Sequence, residues 1–311
     1  MQLSIVVPCY DEEENVRPFF NQTCKCLEGI LDHVEFVFID DGSRDGTVKE
    51  LKKIGEEGKA HVRILSFSRN FGKEAGLLAG LRAASGDYVS IIDADLQQNP
   101  KYIAEMLEIL HENPEYDCVA AFQKERQEGK ILSFFKGAFY KLINCITDIE
   151  FYRSASDFRL LNRKMVDAIT SLPERCRFSK GIFSWVGFKT YYMPYEVENR
   201  QKGKSKWNFW SLTSYALDGI TSFSDKPLII SSVLGLILFF ISIVMMLVVV
   251  IKTLLFGDPV AGFPTLCSLI LLLSGIQLLC IGIVGQYLAK MYAEIKDRPL
   301  YIIKEEYDNQ K

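Results

Sequence analysis

The sequence predicts an α/β domain with a mostly parallel sheet, followed by a hairpin of two transmembrane helices. Over the first 120 residues, short apolar runs rich in β-branched and aromatic residues alternate with helical stretches. Such alternation is typical of a mostly parallel sheet with helices on both faces. Beyond residue 225, two long runs without a charged residue indicate the membrane hairpin.

The elements of the first 120 residues follow from this alternation. The predicted strands are Leu3–Pro8, Glu35–Ile39, Arg63–Phe67, Tyr88–Ile92 and Cys118–Phe122. The predicted helices are near Asn15–Leu31, Thr47–Glu57, Lys73–Ala84 and Pro100–His111. Farther along, helices over about 131–147 and 207–223 carry several aromatic residues. Both are predicted to lie at a membrane interface, with ordinary amphipathic packing on the sheet as the alternative.

The two uncharged runs are long enough to cross a bilayer. Leu228–Ile251 has 24 residues and Pro264–Ala289 has 26, whereas roughly 20 residues span the hydrocarbon core. Two buried helices of a soluble core are the weaker interpretation, because such helices seldom run so far without a charge. The short link between the runs places both ends of the hairpin on one side of the membrane.

Basic residues cluster on that shared side, and the link itself contains only Lys252. The positive-inside bias therefore predicts that the N-terminal domain and the C-terminal tail are cytoplasmic. The basic residues are Lys202, Lys204, Lys206, Lys226, Lys290, Lys296 and Arg298. The predicted organisation is an N-terminal domain over 1–206, a juxtamembrane interfacial helix over 207–226, two transmembrane helices within 227–290 and a tail over 291–311. The first residues, Met1–Pro8, read as a strand rather than a signal peptide.

Composition argues against several classes of protein. The formal net charge of −3 gives no signal for nucleic-acid binding. The eight cysteines form no C-x-x-C pair and are predicted to be reduced, mostly buried small hydrophobes. The three histidines stand apart in the sequence, so histidine-based catalysis is not expected. The two apolar runs contain no ionisable residue, which argues against a transporter.

Two carboxylates one residue apart, Asp93 and Asp95, follow the predicted strand Tyr88–Ile92. Ligands of parallel α/β sheets bind outside the carboxyl ends of the strands. A D-x-D pair at such an end suits Mg²⁺ or Mn²⁺ shared with a diphosphate, because these cations prefer oxygen ligands and usually take one or two carboxylates plus substrate phosphates. Pairs of this kind are also common in loops, and the other polar strand ends strengthen the interpretation.

Asp40 follows the second predicted strand in the run Asp40-Asp-Gly-Ser43. Its carboxylate could accept a hydrogen bond from a nucleotide base or a ribose hydroxyl. A turn that caps the next helix explains the same residues equally well. No G-x-G-x-x-G follows the first strand, so a dinucleotide cofactor is not expected.

Taken in chain order, three motifs resemble the nucleotide-sugar domain of inverting family 2 glycosyltransferases: Val6-Val7-Pro8-x-Tyr10-x-Glu12-x-x-Asn15, Ile39-Asp40-Asp41-Gly42-Ser43 and Asp93-Ala94-Asp95-Leu96-Gln97. Later features are similar to the polyprenyl-phosphate sugar transferases, including dolichol-phosphate-mannose synthases and bactoprenol glucosyltransferases. These features are the hairpin, Asp157-Phe158-Arg159-Leu160 and Arg200-x-x-x-Gly203-x-Ser205-Lys206. The resemblance covers nearly the whole chain.

The resemblance implies a GT-A fold and a role for each matching residue. The donor nucleotide would contact Pro8, Tyr10, Glu12, Asp40 and Asp93. Mg²⁺ or Mn²⁺ would be held by Asp95, Asp93 and Gln97, with Asp95 the more direct ligand. Asp157 and Arg159 would lie near the acceptor, and Arg200, Lys206, Arg126 and Lys136 would meet phosphate groups. The chain departs from the family pattern at Ala121–Lys124, which leaves Arg126 and Lys136 without a supporting motif.

The implied reaction is inverting transfer of one sugar from a nucleotide-diphosphate sugar to a polyprenyl phosphate at the cytoplasmic membrane face, giving a β-linked product. UDP-glucose is the favoured donor, with UDP-N-acetylglucosamine and GDP-mannose as alternatives. A polysaccharide synthase is less favoured, because the chain has no Q-x-x-R-W motif and two spans do not readily enclose a channel. A catalytically inactive scaffold is less favoured because Asp93, Asp95 and Asp157 are all present.

Some roles stay open at this point. Asp157 could act as a base toward a phosphate monoanion, orient Arg159 and nearby cations, or form a structural ion pair with Arg159. The basic stretch Arg200–Lys206 could contact phosphate groups or only attract anionic headgroups. Small residues of the second span, Ser274-Gly275, Gly282 and Gly285, would suit packing between copies in a homo-oligomer.

Overall fold

An eight-stranded sheet lies at the centre of the computed structural model, which describes residues 2–123, 155–196, 221–222, 224–256 and 262–310. The strands are β1 (Leu3–Cys9), β2 (Val34–Asp40), β3 (His61–Phe67), β4 (Tyr88–Ile91), β5 (Cys118–Gln123), β6 (Ala155–Asn162), β7 (Thr190–Tyr195) and β8 (Ile303–Asp308). Their order across the sheet is β7-β5-β6-β4-β1-β2-β3-β8.

The helices of the same part of the chain flank this sheet or follow it. They are α1 (Glu13–Cys26), α2 (Thr47–Glu56), α3 (Lys73–Ala83), α4 (Lys101–Glu112), α5 (Arg163–Ser171), α6 (Ser179–Trp185), α7 (Lys226–Phe256) and α8 (Phe263–Ile295). The first predicted helix is wrong at its end, because α1 stops at Cys26 and a short 3₁₀ helix, Glu28–His33, follows. The predicted helices over about 131–147 and 207–223 lie outside the described residues, apart from a helical turn at 221–222.

The centre of the sheet is parallel and buried on both faces. β1 pairs in parallel with β2 and β4, and β2 pairs in parallel with β3. Successive residues of β1 enter opposite cores: Val6 packs with α3 on one face, and Val7 packs with Phe19 and Phe20 of α1 on the other. Strands covered on both faces read as continuous apolar runs. The five strands predicted from the sequence are therefore confirmed.

Helix α3 packs unusually close to β1. A Cβ atom on Gly80 would lie 2.2 Å from Cγ1 of Val6, so the contact has no room for a side chain. Because the helix lies so near the strand, its first residue, Lys73, is held at the carboxyl edge of the parallel strands. That edge is where the predicted site residues collect.

Strand β6 lies antiparallel between β4 and β5, and it was not among the strands predicted from the sequence. Its register pairs Arg159 with Ile91 of β4. Continuing this antiparallel register by two residues brings Asp157 level with Asp93. Two carboxylates that are 64 positions apart in the sequence are therefore neighbours at one end of the sheet.

The C-terminal segment returns to the sheet. Strand β8 pairs antiparallel with β3, so the last residues form one edge of the sheet. Beyond β8, the Asn309 side chain accepts from the backbone N–H of Val62 at 2.9 Å and donates to two backbone carbonyls, those of Gly55 and Ala60. The sheet domain is thus not confined to 1–206, and the segment 291–311 is not a separate tail.

The two long helices α7 and α8 expose their apolar side chains. By length and composition, both are able to cross a membrane, with mean hydropathy values of 2.8 over Lys226–Met245 and 1.7 over Leu272–Ile295. Each helix is longer than the predicted span, since α7 covers Lys226–Phe256 and α8 covers Phe263–Ile295. Among the described side chains of these helices, Leu236 and Leu278 are 57% and 69% exposed.

Candidate active site

Loops from the parallel strands meet at one edge of the sheet. After β1, the Asp11 backbone N–H donates to Oγ of Ser43 in the loop after β2, at 3.0 Å. In return, the Arg44 backbone N–H donates to Oδ1 of Asp11 at 2.8 Å. Asp11 adopts a φ of +54°, a left-handed conformation that Asp tolerates better than most residues. The first two loops of the edge are thus tied together.

Lys73 is the residue around which the site is arranged. Its Nζ lies 2.9 Å from Oδ1 of Asp93 and 2.9 Å from Oδ2 of Asp157. One ammonium therefore joins the D-x-D carboxylate to the carboxylate of β6. The Lys73 side chain keeps 42% of its surface exposed, whereas Asp93 and Asp157 keep 31% and 20%, so the bridge is part-buried.

The two carboxylates respond differently to this shared lysine. Burial raises the pKa of Asp93, with Asp157 and Asp95 adding to the rise and Lys73 opposing it. Burial acts in the same direction on Asp157, but Lys73, Lys180 and Arg159 outweigh it and lower its pKa to about 2. Burial lowers the pKa of Lys73, yet the two carboxylates more than offset this and leave it raised. Asp157 and Lys73 are therefore charged near neutral pH.

Asp95 occupies a tight turn after β4. Its Oδ1 accepts the backbone N–H of Gln97 at 3.1 Å, and Leu96 between them adopts a φ of +58°. The backbone N–H of Asp93 donates to Oε1 of Gln98 at 3.2 Å. Asp95 is 8% exposed. The turn therefore fixes the spacing of the D-x-D pair before any ligand is present.

A divalent cation fits this pair of carboxylates. Among the described residues, no group of three or more His, Cys, Asp or Glu side chains is placed to enclose a metal ion. Asp93 and Asp95 supply two oxygen donors, which is the usual protein share for Mg²⁺ when substrate phosphates complete the shell. The donor set thus suits a hard cation that arrives with a diphosphate. Gln97, predicted as a further ligand, lies in the same turn.

The loop after β2 holds the backbone of the two residues that precede Lys73. Asp41 accepts the backbone N–H groups of Phe71 and Gly72, at 2.6 and 2.9 Å. These are the two residues before Lys73, so the carboxylate orients the start of α3. Gly42 has a φ of +69°, and a Cβ there would lie 2.4 Å from the Arg69 carbonyl carbon. Only glycine permits this approach of the two loops.

Asp40 is held inside the fold. It is 1% exposed, and it accepts from Oγ of Ser66 at 2.7 Å and from the backbone N–H of Ser43 at 3.1 Å. These bonds match the turn-forming alternative. Of the other predicted nucleotide contacts, Pro8 and Tyr10 are half-buried at the carboxyl end of β1. The Glu12 side chain accepts from the Asn15 amide at the start of α1.

Arg159 does not form the ion pair with Asp157 that was one of the predicted alternatives. Its guanidinium lies 3.7 Å from the centre of the Phe183 ring and donates to the carbonyl oxygen of Ser156 at 3.0 Å. Its charge still lowers the pKa of Asp157. The ionic partner of Asp157 is Lys73 instead, because the strand register brings Asp157 to the start of α3.

The four predicted phosphate-binding residues, Arg126, Lys136, Arg200 and Lys206, lie outside the described residues. Sequence reasoning missed Lys73 and the anchoring role of Asp41. Lys73 could have been noticed as a cation that follows a Gly and begins the helix after the third strand. Tyr10, Asp41 and Asp93 likewise lie between a parallel strand and the helix that follows it.

A model of the family described as "Glycosyl transferase family 2" matches residues 4–170, more than half of the chain. The chain belongs to glycosyl transferase family 2. The matched segment contains the D-x-D turn, Lys73 and Asp157. The family 2 chain is thus a glycosyltransferase, and its charged site residues lie at the edge of the sheet where the parallel strands end.

Relatives of similar length extend this match to the hairpin. The SfII prophage-derived bactoprenol glucosyl transferase of Shigella flexneri is 42% identical over 309 residues, covering 99% of each chain. A prophage bactoprenol glucosyl transferase homolog of Escherichia coli is 40% identical over 306 residues, covering 98% of this chain and 99% of its own. An uncharacterised glycosyltransferase of Synechocystis is 40% identical over 306 residues, covering 98% and 95%.

Solved structures confirm the predicted GT-A fold. The family 2 chain is similar to the glucosyl-3-phosphoglycerate synthase of Mycobacterium tuberculosis in complex with Mn²⁺, UDP and phosphoglyceric acid. The TM-score is 0.52 at 20% identity, and the match covers 71% of this chain and 76% of that one. At this identity, the similarity concerns the fold.

Proposed function

We propose that this glycosyltransferase transfers glucose from UDP-glucose to a polyprenyl phosphate at the cytoplasmic face of a membrane, with inversion at the anomeric carbon. The observation that carries the proposal is the Lys73 bridge between Asp93 and Asp157. It joins a carboxylate pair suited to a nucleotide diphosphate to a second site rich in positive charge. Relatives named as bactoprenol glucosyl transferases support the sugar and the lipid.

The donor side is the D-x-D turn. Asp93 and Asp95 would hold Mg²⁺ or Mn²⁺ against the donor diphosphate, with Gln97 beside them. The cation would act as a Lewis acid that neutralises charge on the leaving nucleotide. A related synthase has been solved with Mn²⁺ and UDP, which supports a divalent cation and a uridine nucleotide. Pro8, Tyr10 and Glu12 remain the proposed contacts of the nucleotide, at the carboxyl end of β1.

The acceptor side surrounds Asp157. A phosphate monoester has a second pKa of about 6, so at neutral pH the acceptor is largely a dianion. Such a nucleophile needs little help from a base, but its charge must be tolerated next to the donor diphosphate. Lys73, Lys180 and Arg159 supply that positive charge around Asp157. We therefore assign Asp157 the task of positioning these cations, because a carboxylate with a pKa of about 2 is a weak base.

The hairpin explains why the acceptor is a lipid. A polyprenyl chain stays in the bilayer, so the enzyme must hold its site beside the membrane. Helices α7 and α8 would span the membrane, and the basic residues flanking them support a cytoplasmic location for the sheet domain. Arg126, Lys136, Arg200 and Lys206 remain proposed phosphate contacts on the same side.

The test is transfer of radiolabelled sugar into a lipid fraction. Purified full-length protein would receive undecaprenyl phosphate, Mg²⁺ or Mn²⁺, and UDP-glucose, UDP-N-acetylglucosamine or GDP-mannose in parallel. We expect label in lipid with UDP-glucose, in a β-linkage, and loss of label after chelation. If lipid were labelled only from one of the other donors, the transferred sugar would be that donor's sugar and not glucose. Nucleotide release without labelled lipid would show that the acceptor is not a polyprenyl phosphate.

A further inference from the structure

A cavity of about 440 Å³ lies where the sheet domain meets the end of the hairpin. One wall is the start of α3 with the segment before α6, and the opposite wall is the end of α8. Residues Phe71, Glu74, Arg175, Arg177, Phe178 and Lys290 define its character. The volume is in the range of small-molecule sites, roughly 300–1,000 Å³. The cavity is separate from the D-x-D turn, and none of the described residues predicted for the donor or acceptor site lines it.

The cavity is cationic on one part of its surface and apolar on the rest. Among the described residues that line the cavity, three are basic, Arg175, Arg177 and Lys290, and one is acidic, Glu74. The apolar part includes Phe71, Phe178, Ala289 and Leu300. A ligand that matches both parts carries an anionic group joined to a hydrocarbon chain.

The position of the cavity along α8 corresponds to the edge of the apolar layer. Lys290 is the first charged residue after the 26 uncharged positions that end at Ala289. Its Nζ donates to Oγ of Ser222 at 2.7 Å, and Ser222 lies just before α7. The chain segments that enter and leave the hairpin therefore meet at this wall. A lipid headgroup at the membrane surface would lie at the same level.

Both guanidinium groups are held in place by the protein. Arg175 pairs with Asp297, and its backbone N–H donates to Glu294 at 2.9 Å. Arg177 donates to the carbonyl oxygens of Leu172 and Ile169, at 3.2 and 3.1 Å. Cations fixed before the ligand arrives lose less conformational entropy on binding. Guanidinium groups also suit the geometry of phosphate oxygens.

The cavity shares a wall with the active site. Glu74 accepts the backbone N–H of Ser179 at 2.8 Å and also bonds its hydroxyl group, which ties α3 to α6. The preceding residue is Lys73, whose ammonium contacts Asp157. The first turn of α3 thus separates a cationic cavity at the membrane edge from the proposed acceptor side.

We propose that this cavity is the docking site of the acceptor lipid: it holds the phosphate group and the adjoining isoprenoid segment of a polyprenyl phosphate before transfer. The inference rests on the proposed function and adds a second, membrane-proximal phosphate site to it. Charge complementarity and the wall that the cavity shares with the Asp157 side, the first turn of α3, both favour this occupant. A phosphatidylglycerol headgroup is also an anionic phosphate on a lipid and is therefore an arm of the test.

The experiment measures binding of polyprenyl phosphate to full-length protein in detergent, without a donor. Two variants change the cavity in different ways. Lys290→Gln removes a charge, and Ala289→Trp fills the apolar part. Lys296→Gln is the matched control, since it removes a charge one residue beyond α8, where Lys296 contacts the Tyr292 ring outside the cavity. We expect Lys290→Gln to weaken binding about tenfold, the range of a hydrogen bond to a charged group. Ala289→Trp should weaken binding because the indole occupies the space of the hydrocarbon chain, and the control should bind like wild type.

The outcomes separate this inference from the proposed function. Wild-type binding by both cavity variants would overturn the docking site, even if the enzyme transfers glucose. Displacement of the bound lipid by an equal concentration of phosphatidylglycerol would also overturn it, because the cavity would then hold any anionic headgroup. Weakened binding in the cavity variants supports the site, even if a separate assay showed no glucose transfer by the wild type.

Discussion

The two sides of the active site share one lysine and differ in their electrostatics. Lys73 lies 2.9 Å from a carboxylate oxygen on each side. Nevertheless, the pKa of Asp93 is raised, whereas that of Asp157 is lowered to about 2. The shared lysine is at the same distance from both, and burial raises the pKa of each, but their other charged neighbours differ in sign.

Those neighbours define what each side is suited to bind. Asp93 has two further carboxylates near it, Asp95 and Asp157, whose negative charge opposes that of Lys73. Asp157 has Lys180 and Arg159 near it in addition to Lys73. The first arrangement suits a divalent cation that arrives with a diphosphate. The second suits a phosphate dianion that arrives alone.

The largest expected effect comes from removing the donor-side carboxylate Asp95. We expect Asp95→Ala to lower kcat by about 10²–10³-fold, the range seen when one group that stabilises transition-state charge is lost. Initial rates of lipid labelling at saturating UDP-glucose measure this. Asp87→Asn, at an exposed carboxylate that accepts from the Gln2 backbone N–H, is the control. Equal rates for Asp95→Ala and wild type would show that the Asp95 carboxylate has no part in the reaction.

Replacing the shared residue should affect both sides. We expect Lys73→Met to lower kcat by about 10²-fold, because the charge between donor and acceptor phosphates is lost. Lys101→Met is a matched control, since this exposed lysine stacks on the Tyr102 ring at 4.8 Å from its centre. A Lys73→Met rate within twofold of the control would show that the bridge has no catalytic function.

The role of Asp157 is tested by a smaller change and by pH. We expect Asp157→Asn to keep more than about a tenth of the wild-type kcat, a barrier change under about 1.4 kcal/mol. A carboxyl group with a lowered pKa stays ionised above that pKa, so it contributes no loss of rate between pH 8 and 5. The fall in kcat/KM below about pH 6 should follow acceptor protonation. It should therefore persist in Asp157→Asn, and its disappearance would restore the base role.

The smallest expected effect concerns the support of Lys73. In Asp41→Asn, the amide can accept only one of the two N–H groups of Phe71 and Gly72. Phe71 and Gly72 are half-buried, so the donor left without a partner costs less than the about 1–3 kcal/mol of a fully buried one. We expect a lower thermal midpoint in detergent and a rate reduced by less than tenfold. An unchanged midpoint and rate would mean that the loop holds its shape without this carboxylate.

The predictability of the fold differs between the centre of the sheet and its edges. Strands β1 to β4 were readable because most of their positions are buried and apolar, with only a few polar residues such as Ser4, Glu35 and Arg63 between them. Strand β8, with the sequence Ile303-Lys-Glu-Glu-Tyr-Asp308, is mostly exposed and carries four charged residues, so its apolar pattern is too weak to show a strand. Its contacts are with distant residues: it pairs with β3, and Glu305 forms an ion pair with Lys52 of α2, which is 253 positions away.

Prediction of the site from the sequence was limited in the same way. The D-x-D turn was predicted because its residues are neighbours in the sequence and follow an apolar strand. Lys73 was missed because its significance depends on the register of β6, which brings Asp157 to the start of α3. Pairing between distant strands is not visible in a single sequence. For the same reason, Arg159 was considered as the partner of Asp157, although the fold places Arg159 on Phe183.

The most direct test of the central claim, that one lysine serves both sides, is a pair of dissociation constants. UDP binding in the presence of Mg²⁺ and polyprenyl phosphate binding would each be measured for wild type and for Lys73→Met. We predict that the dissociation constants of both ligands are about tenfold higher for the variant, as expected for the loss of a hydrogen bond to a charged group. Weaker binding of only one ligand would contradict it, and would assign Lys73 to that side alone.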